Sequence, residues 1–401
     1  GVGYPTDFFL EARVQNRPVW IENHRFGWRF FPPSMARAPL PLLVEQRKPP
    51  GTVRILVLGE SAAMGDPEPA YAFGRYLEVL LAEAFPGRPF EVINTAMTAI
   101  NSHAVLPIAR DCARLGADFW VIYMGNNEVV GPYGSGTVFG PRVPSLGLIR
   151  AGLFLRTFRM VQMMDTVRQW LADRRRPPVA WGGMEMFLES QARHDDPQME
   201  SVYRHFEKNY ADLLAAGQRA GVRILAVTVA ANLKDCPPFA SVHRRGLAEG
   251  DRQEWEALMK EGFEWAATGR HPEALNRFRA AANKDDEFAE LHFHLAESQW
   301  AAGDYAAARA SYRQALELDA LRFRVDTRLN QIVRKLATGQ TNRGIWLVDG
   351  AEAIARASRQ QTPGQDLLWE HVHLNFEGNY QLARAVAEQL APLLPADGRK
   401  V

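Results

Sequence analysis

A serine, an asparagine, a glutamate and two histidines stand at spacings that could carry acyl-transfer chemistry. Ser61 follows a run of four apolar residues in "RILVLGESAAMGD" (54–66). A serine hydroxyl is a poor nucleophile at neutral pH; it needs a base, usually histidine, and that histidine needs a carboxylate to fix its tautomer. The stretch "WEHVHLNFEG", more than 300 residues later, offers Glu370 and His373 three positions apart. Donors are also needed for a developing oxyanion. "YMGNNE" supplies Asn127, and "NTAMTAINS" supplies backbone N–H groups. "GESAA" is one residue short of a G-x-S-x-G elbow, so it is a weak signal alone. The bland reading of Ser61 as a helix N-cap leaves the other three stretches unexplained.

These residues need a frame that brings them together. "VRILVLG", "FEVINTAM", "ADFWVIYMGNNE" and "VRILAVTVAANL" are short apolar runs that read as buried strands. Helical patterns alternate with them, among them "AFGRYLEVLLAEAFPG", "AVLPIARDCARLG" and the stretch around Phe206 to Ala220. "GIWLVDGAEAIARAS" adds a strand and helix, and "LLWEHVHLNFEGNYQLARAVAEQLAPLL" a loop and a long terminal helix. This alternation predicts an α/β fold, a parallel sheet covered on both faces. Each chemistry-bearing stretch then falls at the carboxyl end of a strand, on the edge where open α/β sheets bind ligands.

Other segments break the rhythm. Residues 1–50 are rich in aromatics, arginine and proline and read as an extended arm over a domain surface. Within 51–245, the stretch 130–198 opens with a Gly/Pro loop and continues as "LIRAGLFLRTFRMVQMMDTVRQWL". Its functional reading is a lid or a membrane-facing helix; the reading preferred on sequence is a core helix whose arginines snorkel outward. Between residues 251 and 321, "EWAATGRHPEALNRFRAAANKDD" matches "QWAAGDYAAARASYRQALELD" at an offset of 34, pairing Gly269 with Gly303 and Asp285 with Asp319. This region, taken as 251–340, is expected to be inserted in one catalytic-type domain that resumes at 341–401. It is expected to hold a partner or orient the domain, and to supply no catalytic group.

The period and small-residue pattern of the insertion resemble tetratricopeptide repeats. The four chemistry-bearing stretches, in order, resemble the blocks of the SGNH/GDSL hydrolase superfamily, over about Val53 to Asn127 and again over Ile345 to Leu390. Gly59-Glu60-Ser61 looks like the Gly-Asp-Ser block, Ala99 (less well Ala96) like the second-block glycine, Gly125-Asn126-Asn127-Glu128 like Gly-x-Asn-Asp, and Glu370-His371-Val372-His373 like Asp-x-x-His. The resemblance implies a three-layer α/β/α domain with Ser61 as nucleophile, His373 as base and Glu370 as its orienter. It implies an oxyanion hole made of the Ser61 N–H, the Ala99 N–H and Asn127. Glutamate replaces aspartate in three places, and alanine at 99 restricts a backbone position where glycine is usual.

The remaining signals exclude more than they add. A net charge of +1 over 401 residues gives no field for nucleic acid. The basic run "DRRRPP" (173–178) reads as a solvated helix end. Two cysteines, Cys112 and Cys236, make no disulfide framework; whether they pair is open, and Cys112 reads as an inert buried thiol. No metal or cofactor is expected: His371 and His373 lack a third ligand, and His292 and His294 share no helix face. His103, which follows the second block, reads as a pocket-lining residue or, by preference, a satisfied surface histidine. The chain begins at Gly1 and reads as a fragment, with an export signal or membrane anchor as what would precede it. The leading function is a serine esterase or O-deacetylase acting on an acylated carbohydrate or lipid. An O-acyltransferase working on an envelope polysaccharide would use the same residues. A tetratricopeptide scaffold on a weakened hydrolase domain, with a protein partner, is the reading from another class.

Overall fold

The computed structural model describes residues 3–173 and 182–395; the basic run from Arg174 to Pro178 lies outside them. The chain opens with three strands, β1 (Phe9–Val14), β2 (Arg17–Glu22) and β3 (Leu43–Glu45), paired antiparallel in that order. The expected extended arm is therefore a small sheet. Its first turn is Gln15-Asn16, both at positive φ (48° and 66°), which matches the twist of a two-residue hairpin. Most of its anchors lie outside the strands: besides Phe9 of β1 and Val44 of β3, Phe8, Phe26, Phe30 and Phe31 are buried in the main core, with Phe8 and Phe26 edge to face at 5.1 Å. Because the strands themselves are only partly buried, they carry little of the alternation that would reveal them.

The main sheet has five parallel strands, β4 (Val53–Gly59), β5 (Phe90–Asn94), β6 (Phe119–Tyr123), β7 (Arg223–Val227) and β8 (Ile345–Val348), in the order β5-β4-β6-β7-β8. Between β4 and β5 run α1 (Ser61–Met64) and α2 (Phe73–Ala84); α3 (Ser102–Cys112) joins β5 to β6. After β6 come α4 (Leu146–Leu155), α5 (Arg159–Asp173) and α6 (Pro197–Arg219). Between β7 and β8 lie α7 (Glu249–Ala267), α8 (His271–Ala282), α9 (Ala289–Ala301), α10 (Tyr305–Leu318) and α11 (Thr327–Ala337). The described chain finishes with α12 (Gly350–Ala357), α13 (Phe376–Leu390) and a short 3-10 turn. Helices α2, α12 and α13 pack together, as do α3, α6 and α11, so the domain is a three-layer α/β/α sandwich. Residues 55–58 of β4 and all of β6 are buried, as strands covered on both faces must be.

The segment read as a core helix is two helices, and its polarity is reversed. Leu148, Phe154, Leu155, Phe158, Met160, Met163, Met164 and Val167 are exposed. Two of its arginines turn inward: Arg150 meets Asn209 and Asp212, and Arg156 donates to the Arg29 carbonyl. Only Ile149 and Leu153 of α4 enter the core.

Helices α7 and α8 pair, as do α9 and α10, and Gly269 and Gly303 take positive φ at the two turns, where a side chain would be strained. The matched aspartates do matching work. Asp319 accepts the N–H groups of Phe239 and Ala240, and Asp285 accepts that of Arg244 and the Nδ1 contact of His243. Two buried carboxylates 34 residues apart thus clamp successive parts of the chain that leads into the helices. Cys112 and Cys236 are both free and buried, so they do not pair.

Candidate active site

Parallel strands deliver their carboxyl ends to one edge, and the register sets Gly59 beside Tyr123 and Tyr123 beside Val227. Gly59 is needed there: a Cβ would stand 2.1 Å from the Tyr123 carbonyl oxygen and 2.6 Å from Ala63 Cβ. The chain can then turn sharply, and Ser61 becomes the first residue of α1. Glu60 occupies the cap position, so Ser61 is not the N-cap that the bland reading requires.

Glu60 is buried. Its Oε2 accepts the N–H of Asn126 at 2.8 Å and of Asn127 at 3.2 Å, while Oε1 has no partner among the described residues. Glu128, also buried, accepts the Ser102 N–H at 2.7 Å and hydroxyl at 2.8 Å. Burial, and for Glu60 the nearby Glu128 charge, pushes both carboxyls upward, Glu128 to about 7.

The Asn127 amide donates to the Ile100 carbonyl at 3.0 Å, which leaves one N–H for another acceptor. Ala99 sits at φ 64°, the left-handed conformation that suits glycine, so the alanine substitution keeps the local backbone geometry at the expense of strain. Among the described residues, neither the Ser61 nor the Ala99 N–H donates to a protein acceptor. Ala96, the lesser alternative, spends its N–H on Asn94 Oδ1.

The carboxylate and histidines come from the turn before α13. His373 Nδ1 lies 2.7 Å from Glu370 Oε1, which also accepts the His373 N–H at 2.8 Å. His371 Nδ1 meets the other oxygen, Oε2. Burial would raise the Glu370 pKa, but hydrogen bonds from the two histidines outweigh it and hold the group well below its ordinary value. Burial lowers the pKa of His371, whose ring packs edge-on against Phe239 and Phe323. His373 Nε2 is buried and unpartnered among the described residues. Sequence reasoning missed that Glu370 holds both histidines.

Ser61, Ala99, Asn127, Glu370, His371 and His373 line one cavity of about 300 Å³. Its other wall is apolar, formed by Val130, Phe139, Met184, Phe187 and Phe323. No motif marks those wall residues, because they come from loops and from the short 3-10 turn Gly183–Phe187. Phe323 follows α10, so the insertion region does contribute to the cavity, as wall rather than as a chemical group. Its neighbours brace the site. Val325 donates its N–H to Asn126 Oδ1 at 3.1 Å. The buried Arg324 pairs with Asp319 and donates to the carbonyls of Asn232 and Cys236. Asn232 in turn donates to the carbonyls of His371 and Glu370, each at 2.9 Å. His103 is neither a surface residue nor part of the cavity. It is buried against Asn209, Tyr133 and His205, and burial pulls its pKa down to about 3.

No family model and no curated protein matches the chain. Solved structures similar to it include a lipase/acylhydrolase from Enterococcus faecalis, at 10% identity and TM-score 0.38, covering 87% of this chain and 100% of that one. An acetyl xylan esterase, AlAXEase, matches at 12% identity and TM-score 0.39, over 84% of this chain and 100% of that one. A member of the lipolytic G-D-S-L family from Veillonella parvula matches at 8% and 0.36, over 84% and 98%.

Two predictions follow from the strained and buried groups. Ala99→Gly relieves left-handed strain and keeps the N–H, so stability should rise by about 1 kcal/mol in denaturant unfolding; a fall would show that the alanine methyl is needed for packing. Glu128 has a folded pKa raised from 4.5 to about 7. The native state therefore holds the proton more tightly, and the stability this adds below pH 4.5 is lost as pH rises through about 7. Glu128→Gln should flatten the decline of Tm across that window, and an unchanged slope would show that the carboxyl does not take up a proton on folding.

Proposed function

We propose that the protein is a serine ester hydrolase of the SGNH/GDSL type. The observation that carries this reading is the single cavity shared by Ser61, Asn127, Ala99 and a Glu370–His373 hydrogen-bonded pair whose Nε2 is unpartnered. Ser61 Oγ attacks the ester carbonyl and His373 Nε2 takes its proton. Glu370 holds the tautomer with hydrogen on Nδ1 and stabilises the imidazolium. The carbonyl oxygen, now negative, receives hydrogen bonds from the Ser61 and Ala99 N–H groups and the Asn127 amide. The tetrahedral intermediate collapses, the alcohol leaves with the proton from His373, and water then repeats the sequence to free the acid and Ser61.

The apolar wall favours an acyl group longer than acetyl, since Phe187 and Phe323 offer surface that a two-carbon group leaves uncovered. The helical hairpins of the insertion, in the tetratricopeptide reading, hold a protein partner away from this chemistry.

A fluorophosphonate should label Ser61, with labelling lost in Ser61→Ala. His373→Ala should lower kcat by about three orders of magnitude or more, and His371→Ala by less. Phe187→Ala and Phe323→Ala should raise KM for an octanoyl ester more than for an acetyl ester. Labelling that survives Ser61→Ala, or greater damage from His371→Ala in a folded protein, would defeat the assignment.

A further inference from the structure

We propose that α4 and α5 form a lipid-docking face that holds the protein on a bilayer containing anionic headgroups. The proposal is independent of the ester chemistry. On α5, Met160, Met163, Met164 and Val167 fall at i, i+3, i+4 and i+7, the spacing by which a surface helix meets its own core. Here all four face outward, Met160 at 74% exposure. The inward side of this helix is polar. Gln162 is buried, donating to the carbonyls of Tyr4 and Arg156 and accepting the Tyr4 N–H at 2.8 Å, and Arg156 pairs with Asp165.

The outward face continues across the break between the helices. Leu148, Phe154 and Leu155 of α4 are exposed, and Phe154 lies edge to face with Phe158 at 5.3 Å. An apolar surface of this extent is uncommon on a monomer unless something covers it.

Charge selects the occupant. Residues 146–168 hold four arginines and one acidic residue, Asp165, in a chain whose net charge is only +1. Arg150 and Arg156 are spent inward. Arg159 and Arg168 are exposed on the stripe-bearing helix, with no acidic partner among the described residues. Apolar side chains that can enter the acyl boundary, beside long cationic ones that reach headgroup phosphates, are the composition of a helix lying in a membrane interface. With 10 and 15 residues, α4 and α5 fit that orientation, and no helix among the described residues is long and apolar enough to cross a membrane.

The test is flotation of the full chain with vesicles of phosphatidylcholine alone and of phosphatidylcholine with phosphatidylglycerol. The protein should float with the anionic vesicles, less so as salt rises, and remain behind with the neutral ones. A Phe154→Ser/Phe158→Ser/Met164→Ser variant, and separately Arg159→Glu/Arg168→Glu, should each lower the partition coefficient at least about tenfold, with thermal transition and small-ester turnover unchanged. Should the serine variant fail to fold, the arginine variant, altered only at exposed positions, decides the matter. Absence of binding to either vesicle, or wild-type binding by a folded variant, overturns the proposal. So does light scattering that finds a dimer dissociated by the serine substitutions, which would make the face a contact between copies of this chain.

Discussion

The upper edge of the sheet depends on one buried carboxylate. Glu60 follows the last residue of β4 and reaches the loop after β6, where its Oε2 binds two successive backbone N–H groups. A carboxyl group out of water is tolerable only with such partners, so the loop must keep the conformation that supplies them. That conformation fixes Asn126 and Asn127 and, one residue further, sets Glu128 against the start of α3. The strand ends would lie side by side in any parallel sheet. Their loops face one cavity because a polar group at the end of one strand is satisfied by the backbone leaving the next.

A second set of buried polar contacts ties the region between β7 and β8 to the same edge. Asp319 and Arg324 bind one another, and Arg324 reaches the backbone of Asn232 and Cys236. Asn232 holds the carbonyls on which Glu370 and His371 turn. The segment leaving the helical hairpins is therefore part of the frame of the cavity, although the hairpins themselves keep separate apolar cores around Phe278 and Tyr312.

Much of this was legible in the sequence, and the parts that were not have physical reasons. Strands buried on both faces announce themselves as apolar runs, and so β4, β6 and β7 are plain in the chain. Three of the four polar stretches are plain for the same reason, since they follow β4, β5 and β6; the fourth, Glu370 to His373, was expected at a strand end but lies beyond α12 in the turn before α13, held there by contacts with Asn232. The glycine and aspartate pairs 34 residues apart are visible because repetition needs no knowledge of the fold. The opening strands were hidden because most of their aromatic anchors lie outside the strands. Helix α5 misled because periodicity reports that a helix has two faces, but not which one the protein covers. Phe187, Phe323 and Asn232 carry no local signal at all: loop residues acquire their roles only when distant elements meet.

The separation of the serine from the histidine has a consequence for how the chain assembles. The Phe73 N–H at the start of α2 is bound by Asn379 of α13, 306 positions away, and the strand preceding the histidine turn is the last of the sheet in chain order. Contacts of such long reach are entropically costly to close and form late. During synthesis, the strands β4, β5 and β6 and their helices can emerge with Ser61 already at its turn, yet Glu370 and His373 follow about 300 residues later. The edge that gathers Ser61, Asn127 and the Glu370–His373 turn can therefore be completed only after the intervening helices have been made and stowed.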